Sequence, residues 1–554
     1  VYANEMMRNK NESKLSSDAI KEMVLHTRAA LRFGLLCISK DDKCNLYSEE
    51  AVATIQSKAI VTYHWHDPLA TILSRPRGDK KSRILAAQLM SNLVTSNART
   101  ASIISTNVGL SPSPESVSSS ILDTIPDRED FIPSSSSVKV IKSNWVDMFI
   151  SAAKSRNRDA IAAVAAFLHN CIASLLQDQD ELEHRKRNLQ FVRDVASNGM
   201  LVSTILRHFV SAEAIIEALD KEKEGSKEQD DYWDSATEWI QLLLSKLAKL
   251  GMLSSMFSSI STTCGEKNAL VRLLPEQNVL LQCISRDADA YVMEFGSNRS
   301  VEHPFGGEVR AMNENYLFLA SLAVDISPWF RRKRLPTTQT NDQLDAFNDQ
   351  LLLSGFLTVN EILASTLGVE GSVNESLRLY LGHETAILQE SAKSLGVVLD
   401  DLAEKSDGRK ASDVNLSSDD QRLLIGLVKF VGNLCYKCKH NQDLLRTTLV
   451  PPAKKSVHRV EVVGEEENDT RSSEMRNGVH VLLSCTTHAT SCFTLREWGV
   501  IAIRNVLEDN PNNQAIVEEL MAQGPVESAD LEQAGVRVQL DSKGKVSLST
   551  INET

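Results

Sequence analysis

Cysteine and histidine come closest together between residues 435 and 492: Cys435-x-x-Cys438-x-His440, then Cys485-x-x-His488 and Cys492. Thiolates and imidazoles at such spacings are the ligands of tetrahedral zinc or of copper. The set lacks the paired knuckles of a structural zinc site, and Cys435 falls where a helix wants a small apolar residue, so the expectation is no metal and no cofactor. His64-Trp65-His66 is a weaker pair still and reads as a polar helix end. His169 and His208 fall in helical runs and read as packing residues. No phosphate-cradling Gly-Lys loop, dinucleotide fingerprint, nucleophile elbow or kinase set occurs. Gly368-x-x-Gly371 and Phe305-Gly306-Gly307 follow no strand. The chain therefore reads as non-catalytic.

The composition says what could hold such residues in place. The chain has 554 residues, 42% hydrophobic but only 5% aromatic, with 24 Gly and 14 Pro. Few aromatics and few breakers disfavour sandwiches and barrels, which turn at short intervals. A net charge of −13 disfavours general nucleic-acid binding. The nine cysteines are scattered and odd in number, as reduced thiols of the cytosol or nucleus are. No run is long and apolar enough to predict a membrane span. The chain opens on Val1 without an initiator Met, as a fragment or a late start would.

Helical periodicity recurs from Leu15 onward. Apolar residues return every three or four positions over 15–39, 49–64, 67–74, 80–105, 143–154, 157–176, 181–197 and 199–220. The run from Trp233 to Leu250 is stopped by Gly251. Helices are expected again over 251–262, 266–274, 277–297, 311–326, 341–353, 355–367, 371–381 and 383–405. The organisation expected is N-terminal helical repeats at 1–108, a Ser-rich disordered loop at 109–140, central repeats at 141–410, a C-terminal repeat domain at 415–523, and a tail at 524–554. An insert at 451–477 interrupts the repeat domain. Alternating pieces of the tail, such as 536–540, either pair as a hairpin or stay loose. About twenty helices with short breaks predict an all-α, armadillo- or HEAT-like right-handed superhelical solenoid.

The repeat itself is visible at the end of the chain. Val431-Gly432-Asn433-Leu434 precedes Asn441-Gln442-Asp443-Leu444, and Ile503-Arg504-Asn505-Val506 precedes Asn513-Gln514-Ala515-Ile516, each position offset by 72. Removing the 27-residue insert leaves a period of about 45, in the range of two- and three-helix repeats. Asn433 and Asn505 are expected at a helix C-terminus, bonding their own turn. Asn441 and Asn513 are expected as caps of the next helix, with Leu444 and Ile516 re-entering the core. Looser copies are Met90-Ser91-Asn92-Leu93 and Phe167-Leu168-His169-Asn170-Cys171-Ile172.

These residues resemble the C-terminal domain of the ataxin-10 family, most specifically in Arg496-Glu497-Trp498-Gly499-Val500-Ile501-Ala502-Ile503-Arg504-Asn505-Val506 and in Gly432-Asn433-Leu434 with Asn441-Gln442. The resemblance covers about a fifth of the chain. Asn433, Leu434, Asn441, Gln442, Glu497, Trp498, Arg504, Asn505, Asn513 and Gln514 are its structural signature and imply no ligand site. The long insert at 451–477 departs from the family pattern. The resemblance implies an armadillo-like, cytoplasmic, non-enzymatic protein that binds signalling or cell-division factors. Rival readings are a nucleocytoplasmic transport adaptor, with Arg331-Arg332-Lys333-Arg334 as an exposed basic signal, and a copper- or zinc-handling protein. Trp498 opens its helix and reads either as a core residue or as a binding hot spot.

Overall fold

The computed structural model describes residues 69, 80–94, 158–175, 182–207, 209, 235–263, 272–295, 303–306, 308–334, 343–369, 372–406, 416–451, 476–487, 492–519, 536–540 and 546–550. The Ser-rich segment at 109–140, His64-Trp65-His66, His208, His488 and most of the insert lie outside them. Among the described residues the fold is all-α apart from two short antiparallel strand pairs. The chain divides into two compact units, one of Val1–Leu322 with Thr340–Ile362, the other of Ala323–Gln339 with Leu363–Thr554.

The first unit contains α1 (Lys80–Val94), α2 (Arg158–Leu175), α3 (Leu182–Ala196), α4 (Ser235–Lys249), α5 (Leu253–Thr263), α6 (Pro275–Phe295) and most of α7 (Val309–Arg334) and α8 (Gln343–Leu367). Helices α1, α2 and α4 stack side by side, with α2 in the middle. The two loose repeat copies meet here: Asn170 Nδ2 donates to Ser91 Oγ at 3.0 Å, and Ser174 Oγ to the Val94 carbonyl at 2.7 Å. His169 Nδ1 donates to Asn170 Oδ1 and its ring lies 5.6 Å from that of Trp239. Burial lowers its pKa, so it is a neutral packing residue. Gly251 ends α4 in a left-handed turn (φ 78°), and the Met252 N–H reaches the Leu247 carbonyl at 3.1 Å, a glycine C-terminal motif. Asn315 Nδ2 donates to the Ala248 carbonyl at 2.6 Å, tying α7 to the end of α4.

The second unit contains α9 (Ser372–Glu384), α10 (Ile387–Ser406), α11 (Ser418–Cys435), α12 (Lys439–Thr447), β1 (Leu449–Val450), β2 (Arg476–Asn477), α13 (Gly478–Thr487), α14 (Phe493–Leu507), α15 (Pro511–Glu519), β3 (Val536–Leu540) and β4 (Val546–Thr550). Helix α11 starts at the Ser417 cap, whose side chain accepts from the Asp420 N–H, with Asp419 and Asp420 in the first turn, where carboxylates favour the helix dipole. Its face of Leu423, Leu424, Leu427, Val428, Phe430, Val431 and Leu434 is buried, each large side chain contributing about 1.5–3 kcal/mol. The packing is layered: α14 lies on α11, α15 follows α12, and α12 follows α9, while α10 and α13 pack behind. That layering is the armadillo- or HEAT-like pattern.

Several boundaries differ from expectation. The break placed between 353 and 355 does not exist: α8 runs unbroken, because Phe356 and Leu357 are both buried. Helix α7 passes Pro328 and ends at Arg334, so the basic run is the last turn of a helix. Phe330 is buried, Arg331 pairs with Glu390, and Arg334 pairs with Asp401 at 3.0 Å and with Asp420. The insert is closed by a clasp. Leu449 pairs with Asn477 and Val450 with Arg476, and Arg476 donates to the Gly396 carbonyl and pairs with Asp400 on α10. Residues 536–540 pair with 546–550 as an antiparallel hairpin.

Candidate protein-docking face

The signature residues separate into clamps between layers and an exposed stripe. Asn433 is half-buried and its Nδ2 donates to the Ala364 carbonyl at 2.8 Å, across to the preceding layer. Asn505 does the same 72 residues later, donating to the Gly432 carbonyl at 3.2 Å. Each side chain reaches the preceding helix rather than its own turn. Asn441 is fully buried and sits inside α12 rather than capping it. Its Nδ2 donates to the carbonyls of Leu434 and Arg378, both at 2.8 Å. Asn513 repeats the bond seven residues back, to Val506 at 3.0 Å, and donates to the Gln442 carbonyl at 3.2 Å. Gln442 and Gln514 donate to Cys435 and Leu507. Each Asn-Gln pair thus donates to two carbonyls at the end of the preceding helix, where the regular helical bonds run out.

The caps that sequence reasoning put at Asn441 and Asn513 lie three residues earlier. Cys438 is the N-cap of α12, without a side-chain bond. Asn510 receives the Asn513 N–H on its Oδ1 and donates to Gln442 and Asp443. Asn510-Pro511 carried that signal, since Pro favours the first helical position after a cap. Burial opposes ionisation of Asp443, but the bonds from Asn510 and Arg446 and the charges of Arg446 and Lys439 hold its pKa low. Leu434 and Leu445 are core residues, whereas Leu444 and Ile516 are half-buried, so in the first copy the re-entry lies one position later than expected.

Cys435, Cys438, Cys485 and Cys492 are all buried. Burial raises the Cys435 thiol strongly and pushes Cys485 up to about 12, the reverse of what a metal thiolate needs. Among the described residues no group of three or more His, Cys, Asp or Glu side chains could hold a metal ion.

The stripe lies on α14. Glu497, Val500, Ile501 and Arg504 fall on one helical face and all four are exposed, Val500 by 55% and Ile501 by 42%. Trp498 borders it and is half-buried rather than core, with Lys429 Nζ of α11 4.4 Å from its ring centroid, a cation–π contact. Arg496 flanks the other side and is exposed.

A profile of the spinocerebellar ataxia type 10 protein domain matches residues 465–549. The ataxin-10 homolog of Dictyostelium discoideum is 25% identical over 142 residues, 26% of this chain and 19% of that protein. Ataxin-10 of Bos taurus is 28% identical over 128 residues (23% and 21%), and that of Homo sapiens 27% over 124 (22% and 20%). The matched stretch therefore spans about a fifth of the length of these relatives. The solved structure of Kap121p bound to Ste12p aligns over 98% of this chain and 62% of its own, with 11% identity and a TM-score of 0.14, too low to bear on the fold. The matched profile takes in the second set of repeat clamps, Asn505, Asn513 and Gln514, and the C-terminal region of this chain is similar to that of the ataxin-10 proteins.

Proposed function

We propose that the chain is a non-catalytic helical scaffold that binds other proteins, and that it docks them on the exposed stripe of α14 with the adjoining edge of α11. The observation that carries this is the division of labour above. The repeat amides are spent on bonds between layers, while Val500, Ile501 and Trp498 present apolar surface among charged neighbours. Exposed aromatic and aliphatic residues ringed by polar groups are the composition of interface centres. The ataxin-10 resemblance supports a cytoplasmic place and partners among signalling or cell-division factors. A transport adaptor would need its asparagines free for a cargo peptide, and Asn433 and Asn505 are engaged.

The test is proximity labelling in cells with the intact chain and with Val500→Glu/Ile501→Glu. Both side chains are solvent-exposed, so the variant should melt as the wild type does. Loss of a discrete labelled set from the variant supports the reading. An identical set moves the docking face elsewhere.

A further inference from the structure

The stripe on α14 is not a copy of the corresponding surface one period earlier. The positions 72 residues before Glu497, Val500, Ile501 and Arg504 are Ile425, Val428, Lys429 and Gly432. Val428 and Gly432 are buried beneath α14. The second copy puts a guanidinium where the first has no side chain. A further layer of the same repeat cannot seat there, because α11 and α14 meet through that glycine: a Cβ on Gly432 would lie 2.8 Å from the Ala502 Cβ. The α14 stripe is therefore shaped for something other than another turn of the stack.

Its charge says what. The chain as a whole carries −13, yet at this strip Arg496 and Arg504 of α14 and Lys429 at the Trp498 edge, three cations, stand against two acids, Glu497 and the C-cap Glu508. Cations gathered around an apolar strip on an acidic protein complement an acidic, apolar partner. We infer that the occupant of this face is an acidic amphipathic helix. It sets two apolar side chains on Val500 and Ile501 and carries carboxylates toward Arg496, Arg504 and Lys429. A helix is the natural form, because α14 already packs a helix on its other side, and helix pairs approach to about 8–10 Å through such ridges.

The inference rests on the docking-face reading, and one experiment separates the two. The probe is a labelled peptide of about 18 residues, long enough to form a helix, with Leu at helical spacing and Glu elsewhere. The counter-probe has Lys in place of Glu. Both are titrated by fluorescence anisotropy into the full chain, Ile501→Glu and Arg504→Glu, with melting curves confirming that each variant is folded. The Glu peptide should bind and the Lys peptide should not. Arg504→Glu should weaken the Glu peptide roughly tenfold, and added salt should weaken it in the wild type. Preference for the Lys peptide, lost in Ile501→Glu, would overturn the acidic partner while leaving the face in place. Binding of either peptide that is indifferent to Ile501→Glu, or no binding at all, overturns the inference. Failure of the docking-face reading itself would show separately, in the labelling experiment. Light scattering on the free chain adds one more outcome. A dimer that Ile501→Glu dissociates would make the occupant a second copy and sink the inference.

Discussion

Lys437 and Asp509, 72 residues apart, both take left-handed backbone conformations, with φ of 50° and 53°. They stand in the turns that follow α11 and α14, where the turn after α4 has Gly251. A side chain in that conformation costs about 1–2 kcal/mol, less for Asp, and glycine returns part of the gain as unfolded-chain entropy. Lys437→Gly should therefore raise stability by about 0.5–1 kcal/mol, and Asp509→Gly by less, in urea titrations. His303 makes a pH prediction. Its Nδ1 accepts from the Phe305 N–H, which leaves Nε2–H to donate to the Tyr316 hydroxyl at 3.3 Å. Burial, with the charge of Lys249, lowers its pKa to about 4. The unfolded chain takes up this proton near 6.5, before the folded one does. The stabilisation is therefore complete above pH 6.5 and falls away as pH drops toward 4, to a limit of about 3 kcal/mol. His303→Gln should flatten that part of the stability–pH curve, and an unchanged slope would remove His303 from it.

At the scale of elements, the second unit is held by bonds that cross from layer to layer. Asn441 ties α12 both to the end of α11 and to α9. Gly382 is required beside it, since a Cβ there would lie 1.7 Å from Asn441 Oδ1. Gly382→Ala should cost about 1–3 kcal/mol by overpacking, and Asn441→Ala a similar amount by leaving two carbonyls without their donor. Calorimetric melts of both variants check this, and additive losses in the double variant would show that the two residues do not act through one contact. Arg334 is a second tie, joining the end of α7 to α10 and α11 through Asp401 and Asp420. It explains why the basic run could not be read from sequence as a signal. Four cations in a row look like a solvated patch, and only the folded chain brings the carboxylates of residues 390, 401 and 420 to two of them. Arg332 and Lys333 do remain exposed. The helix ran past Pro328 for a related reason: the bonds lost at the proline are offset by burial of Phe330 and by the ion pairs of Arg331 and Arg334.

At the scale of the molecule, layered repeats transmit stability mainly to nearest neighbours. Gly382→Ala should thus speed amide exchange through α9, α11 and α12 while leaving α1, α2 and α4, in the other compact unit, as protected as in the wild type. Uniform acceleration across both units would mean that the chain unfolds as one cooperative block.

The sequence alone determined that this chain is helical, that a unit recurs with an offset of 72 residues, and that its C-terminal region resembles ataxin-10. Those properties live in local periodicity and in residue identity, which need no neighbours to be read. It also placed Glu497, Trp498 and Arg504 in one motif with Asn505, but could not tell an exposed side chain from a buried clamp. Adjacent positions on a helix point 100° apart, and what lies in each direction is decided by the layer that packs there. Asparagine can cap its own helix or reach across to another at similar cost. Only the tertiary structure, by bringing the carbonyls of Ala364, Arg378 and Gly432 to Asn433, Asn441 and Asn505, decided which.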